Sequence, residues 1–146
     1  MVMPSRRGFT LLDLLVSIAL MSVLATLAVP RFLTLRLAAQ RAEVPANVAS
    51  IRVSEIAYDA AQDSFVRADP HGGRLDREAV PWGDATGFHA LGWRPEGDVR
   101  GEYEVQLDGN DFRVVGRCDV DDDDVIAEWS ATKDQAAVQN TAADVY

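Results

Sequence analysis

Apolar residues run almost unbroken from Phe9 to Val29, with Asp13 and a few hydroxyl side chains as the exceptions. About 20 such residues cross the hydrocarbon of a bilayer as a helix, so the pattern predicts a transmembrane segment over 9–30. The helical pattern does not stop there. Past Pro30, charged residues enter, but apolar positions keep a helical spacing up to about Val66. Val48, Ile51, Tyr58 and Phe65 form a stripe, and Val53, Ile56, Ala57 and Ala60 widen it. Arg52, Glu55 and Asp59 interleave with that stripe. Pro30 and Pro45 lie inside the pattern and are expected to kink or open the helix. Residues 31–66 therefore read as the amphipathic half of one very long helix. Such a half needs a cover for its apolar face.

From Val99 the period becomes two. Tyr103, Val105 and Leu107 alternate with polar residues, and a turn follows at Asp108–Asn110. Phe112, Val114, Gly116 and Cys118 alternate next, then Val125, Ala127, Trp129 and Ala131. This pattern predicts an antiparallel meander of three strands with one apolar face, which is the natural cover for the helix. The tail after Thr132 is weakly patterned and could wrap an edge. Residues 67–98 are rich in Gly, Pro and Asp and read as a long variable loop, with room for a short strand or helical turn. Trp82, Phe88, Leu91 and Trp93 are its expected anchors. The expected fold class is thus α+β: a long N-terminal helix on a small antiparallel sheet of three to four strands. Residues 1–8 form a leader, residues 99–146 carry the sheet and tail, and 31–146 make up the globular domain.

Charge narrows the partners. The 146 residues carry a formal net charge of -9, while the leader holds Arg6, Arg7 and no acid. The acidic body repels phosphate backbones, so nucleic acid is not an expected partner. The leader arginines should hold that end in the cytoplasm. Cys118 is the single cysteine, which rules out an internal disulfide and suits a small core residue. His71 and His89 stand in loop-like sequence without a Cys or His neighbour, which argues against zinc. Spacing assembles no Ser/His/Asp set. "DPHGGRLD" has glycines but no following Lys-Ser/Thr, so a nucleotide loop and enzymatic activity are not expected.

One stretch carries a resemblance. "RRGFTLLDLLVSIALMSVLATLAVPRF" has a basic leader ending in Gly8, then Phe9, Thr10 and Leu11, an acid at Asp13, and Pro30 at 21 residues beyond Phe9. It resembles the N-terminus of prepilins of the type IV pilin and type II secretion pseudopilin superfamily. The resemblance implies cleavage between Gly8 and Phe9 by a prepilin peptidase, followed by methylation of the new Phe9 amine. It implies an inner-membrane precursor with a cytoplasmic N-terminus, handled by an inner-membrane assembly platform. Packing into a helical filament with related pilins or copies of itself follows, outside the cell or in the periplasm. Phe9, Asp13 and Pro30 would be the assembly residues, Pro30 as a point where the helix loosens. The family usually has Glu where this chain has Asp13.

A carboxylate at the centre of a membrane helix costs about 2.5–3.5 kcal/mol even on insertion scales. After cleavage, Asp13 lies one helical turn from the Phe9 amine. In a filament its carboxylate can pair with the Phe9 amine of a neighbouring subunit. Such a pair relieves the charge and sets the axial register. The alternative is an acid near the headgroups at the end of a simple membrane anchor.

"CDVDDDDVIAEW" is the second informative stretch. Asp119, Asp121 and Asp123 alternate as oxygen ligands do in many calcium loops, and Glu128 could add a fourth carboxylate. The EF-hand pattern is incomplete, since Asp124 stands at the glycine position and Ser130 at the bidentate Glu position. Some pilins and pseudopilins have a calcium loop near the C-terminal sheet. A solvated acidic turn is the other reading, and both stand. Three functions follow: a type IV pilus subunit, a type II secretion pseudopilin, or a membrane-tethered calcium-dependent binding module that never polymerises.

Overall fold

The computed structural model describes residues 9–73, 75, 77–143 and 145–146. Gly8 and the rest of the leader lie outside the described residues. The chain divides into two compact units, Met1–Arg36 and Leu37–Tyr146.

Most of the first unit is helix α1 (Leu11–Arg41), whose last residues belong to the second unit. None of its residues is buried. Leu14 to Val29 carries no charge, and the segment is long and apolar enough to cross a membrane. Its hydroxyl groups are satisfied within the helix. Ser17 Oγ donates to the Asp13 carbonyl at 2.7 Å, Ser22 Oγ to that of Ile18 at 2.8 Å, and Thr26 Oγ1 to that of Val23 at 2.7 Å. The hydroxyl donors of Ser17, Ser22 and Thr26 are thus all used, as a membrane-spanning helix would require. The helical assignment continues through Pro30, where a kink or local opening is expected.

In the second unit, α2 (Glu43–Gln62) follows after a turn at Ala42. Pro45 accounts for that turn. It has no N–H to give the Arg41 carbonyl, and its ring crowds that carbonyl. The helix ends at Gln62, short of the expected Val66. Asp63 takes a left-handed conformation (φ 52°), and its N–H closes on the Asp59 carbonyl at 2.8 Å.

The sheet has five strands, in the order β1-β2-β3-β4-β5, all antiparallel. They are β1 (Ala68–Gly72), β2 (Glu102–Asp108), β3 (Asp111–Cys118), β4 (Ala127–Thr132) and β5 (Val138–Gln139). The expected three to four strands are exceeded because both flanks of the meander are paired. The loop supplies β1 and the tail supplies β5, which cover part of the outer edges of β2 and β4, as far as Val105 and at Trp129 and Ser130. Pro70 sits where the β1–β2 register shifts, at a sheet edge, where a residue without an N–H is tolerated. The third meander strand starts at Ala127, and Val125 and Ile126 are exposed beside the acidic loop. The loop also holds α3 (Thr86–Ala90), so His71 lies in β1 and His89 in α3.

The core lies between α2 and the inner face of the sheet. Val44, Val48 and Ile51 are wholly buried against a sheet face that includes Tyr103, Val114, Trp129 and Cys118. Each such aliphatic side chain contributes about 1.5–3 kcal/mol on burial. Val53, Ala57 and Ala60 face solvent rather than widening the stripe. Glu55, read as an interleaving polar residue, occupies the next core position instead. Successive steps of four, three and four residues from Val44 keep to one helix face and lead to it. Trp82, Phe88 and Trp93 are buried, with ring centroids 5.3–5.4 Å apart, and anchor the loop as expected, while Leu91 is half-buried. Burial pushes the Cys118 thiol up to about 12, so it behaves as a small apolar residue.

Candidate functional site

Two separate groups of residues carry the chemistry, one in each unit. The first is the start of α1. Thr10 stands just before the helix, and its hydroxyl accepts the Asp13 N–H at 3.2 Å. The Asp13 carboxylate reaches back. Its Oδ2 accepts the Thr10 N–H at 3.0 Å and the Thr10 hydroxyl at 2.8 Å. This is a reciprocal capping box, satisfying amides that the first turn of a helix leaves open. Asp13 thus has a local role that the sequence reading left out. The signal was present as Thr-x-x-acid directly before an apolar run. Both Thr10 contacts use the same oxygen, Oδ2. Phe9 precedes the helix and is exposed, and Pro30 lies in the interior of α1.

The second group is the loop after β3. Asp119, Asp121 and Asp123 each offer a carboxylate oxygen, and these oxygens lie within 4.8 Å of one another. Asp119 is 3% exposed and organises the loop. Its Oδ1 accepts the Asp122 N–H at 2.7 Å and the Asp123 N–H at 3.3 Å, and its Oδ2 accepts the Asp124 N–H at 3.0 Å. Asp122 and Asp124 hold left-handed backbones (φ 63° and 64°), a conformation Asp tolerates better than most residues. Asp121 Oδ1 is buried and accepts no hydrogen bond from the described residues. Desolvation, then Asp123 and Asp119, raise the Asp121 carboxyl above its ordinary value.

Glu128 is engaged elsewhere. Its Oε1 accepts Asn140 Nδ2 at 2.9 Å and its Oε2 accepts Arg117 Nε at 2.9 Å. The Asn140 amide and then Arg117 hold its carboxyl below the ordinary value. Arg117 also meets Glu104 at 2.7 Å and Glu102 at 3.7 Å on the outer face of the sheet.

The chain end is tied to the acidic loop without a disulfide. Val120 N–H donates to the Tyr146 carbonyl at 3.2 Å. Arg41 Nη1 donates to the carbonyls of Ala143, at 2.9 Å, and Val145. The Arg41 guanidinium lies 4.6 Å from the Tyr146 ring centroid and 5.7 Å from that of Trp129.

Comparison with known proteins bears on the first group. Residues 3–29 match the family described as the prokaryotic N-terminal methylation motif. The chain is 26% identical over 117 residues to the type IV major pilin protein PilA of Myxococcus xanthus (strain DK1622). That match covers 80% of this chain and 44% of the relative, so the chain spans less than half the length of the curated relative it matches. No solved structure matches it significantly. The methylation motif, the apolar helix that follows it and the 26% identity to a major pilin are each points of similarity to the type IV pilin and pseudopilin superfamily.

Proposed function

We propose that the chain is a structural subunit of a type IV pilus filament, processed by a prepilin peptidase after Gly8 and N-methylated at Phe9. The methylation motif over residues 3–29 carries this reading. The uncovered apolar surface of α1 supports it, since such a surface needs lipid first and neighbouring helices later. The precursor sits in the bacterial inner membrane with its N-terminus in the cytoplasm. The assembly platform then moves it into a filament of related pilins. The Thr10 N–H survives cleavage, so the capping box persists in the mature subunit. Asp13 Oδ1 is then the atom that receives the Phe9 amine of a neighbour.

The test is mass spectrometry of the N-terminal peptide in filaments sheared from cells. A peptide beginning at methylated Phe9 is the expected result. Methylated Phe9 confined to membranes would favour a secretion pseudopilin. An N-terminus still at Met1 or Val2 everywhere would overturn processing and leave the tethered module.

We further propose that the Asp119–Asp123 loop takes a calcium ion. Its carboxylate oxygens are hard donors of the kind calcium prefers, and the buried Asp121 Oδ1 has no donor among the described residues. Asp119 and Asp123 are the other ligands. When bound, calcium would neutralise adjacent like charges and hold the loop closed.

A further inference from the structure

Glu55 is the charged side chain that α2 turns wholly into the core, and it is 0% exposed. Its Oε2 accepts one hydrogen bond, from the Val66 N–H at 3.1 Å. Its Oε1 is buried without a hydrogen-bond partner among the described residues. The nearby cations are committed elsewhere. Arg52 donates to the Thr132 and Lys133 carbonyls, and Lys133 Nζ is bound to Asp59 at 2.8 Å. Asp59, one turn further along α2, is the charged neighbour whose field reaches Glu55, and it repels a second negative charge.

Among the described residues, the packed elements bring no compensation. The inner faces of β3 and β4 present Phe112, Val114, Cys118, Ala127, Trp129 and Ala131, none of them charged. On β2, the Tyr103 hydroxyl is engaged with Glu43 and Asn47. In the segment after α2, Asp63 is exposed and Arg67 is paired with Asp69 at the surface. A neutral carboxyl is tolerable in such a place. An ionised one with a single donor is not.

We propose that Glu55 is a protonation-sensitive latch: neutral, it stays buried and leaves the segment after α2 closed over the core; ionised, its need for water opens that segment against the hold of the Val66 hydrogen bond. The segment is short and placed to respond. It runs from the left-handed Asp63 past Phe65, whose ring centroid is 5.0 Å from that of Phe112, to Ala68 at the start of β1. Burial pushes the Glu55 carboxyl up to about 7, the Val66 bond opposes this, and Asp59 adds to it. The folded value lies above the unfolded one of 4.5. The folded chain therefore holds the proton more tightly. The stability this confers is complete below 4.5 and is lost as the pH rises through about 7.

The test uses the full chain in detergent micelles and compares wild type with Glu55→Gln. The variant keeps an acceptor for Val66 but cannot ionise. Between pH 5 and pH 8.5 the wild-type Tm is expected to fall by roughly 10 °C more than that of the variant. Amide exchange in peptides containing Val66, corrected for its intrinsic pH dependence, should rise over the same range in wild type alone. Parallel Tm curves, or equal Val66 protection in both proteins, would overturn the latch. If Glu55→Gln does not fold, carbon-13 titration of the wild-type Glu55 carboxyl decides. A transition near neutrality supports the latch, and one in the ordinary carboxylate range overturns it.

Discussion

Thr10 and Asp13 cap the start of α1, and under the proposed function the same carboxylate also serves the assembled subunit. Oδ2 accepts both Thr10 donors, and the proposed countercharge role falls to Oδ1. The two roles separate by mutation. Thr10→Val removes the hydroxyl side of the cap, and Asp13→Ala removes the carboxylate side together with the proposed countercharge. Loss of a cap costs about 0.5–2 kcal/mol of helix stability. Both variants should be cleaved normally, and only Asp13→Ala should sharply reduce surface filaments, measured as pilin in the sheared fraction. Equal yields from Asp13→Ala and wild type would remove the countercharge role. Glu55 is the other residue-scale finding. Its helical phase was legible in the sequence, but a charged letter at an apolar position reads as an interruption of the stripe until the packing is known.

At the scale of elements, the contact between α2 and the sheet depends on Gly116. A Cβ placed there would lie 2.5 Å from Val48 Cγ2 and 2.8 Å from Val44 Cγ1. The helix approaches the sheet that closely because this position of β3 has no side chain. Gly116→Ala should therefore force the valine methyls or the helix outward, at about 1–3 kcal/mol for overpacking a core. Chemical denaturation should show a lower midpoint with an unchanged slope. An unchanged midpoint would mean that the helix seats elsewhere. The sheet itself was partly legible: period-two alternation marked β2, β3 and most of β4. It could not mark β1 or β5, which are short and irregular. They are strands because the edges of β2 and β4 recruit them, and a partner's bare edge is not a property of the strand's own residues.

At the scale of the whole molecule, the acidic loop and the chain end meet without a covalent tie, held by Arg41 and the Val120–Tyr146 hydrogen bond. A calcium ion in the Asp119–Asp123 loop would reinforce this closure. Calcium at 100 times its dissociation constant should stabilise the fold by about 2.7 kcal/mol, seen as a rise in Tm that a chelator reverses. Asp121→Asn should lose that response, and Asp63→Asn should keep it. A Tm indifferent to calcium and chelator alike would leave the loop a solvated acidic turn organised by Asp119.

The sequence by itself determined the features that depend on local order. These are the N-terminal methylation motif, the uncharged run of α1, the α+β class and the carboxylate alternation after β3. Each is a periodicity or a spacing within one segment, so neighbouring residues are enough to specify it. Tertiary structure alone decided the fifth strand, the burial of Glu55, the diversion of Glu128 to Arg117 and Asn140, and the closeness of α2 to Gly116. Each of these depends on groups distant in the chain competing for one hydrogen bond, charge or volume. That competition is settled only when the chain is packed.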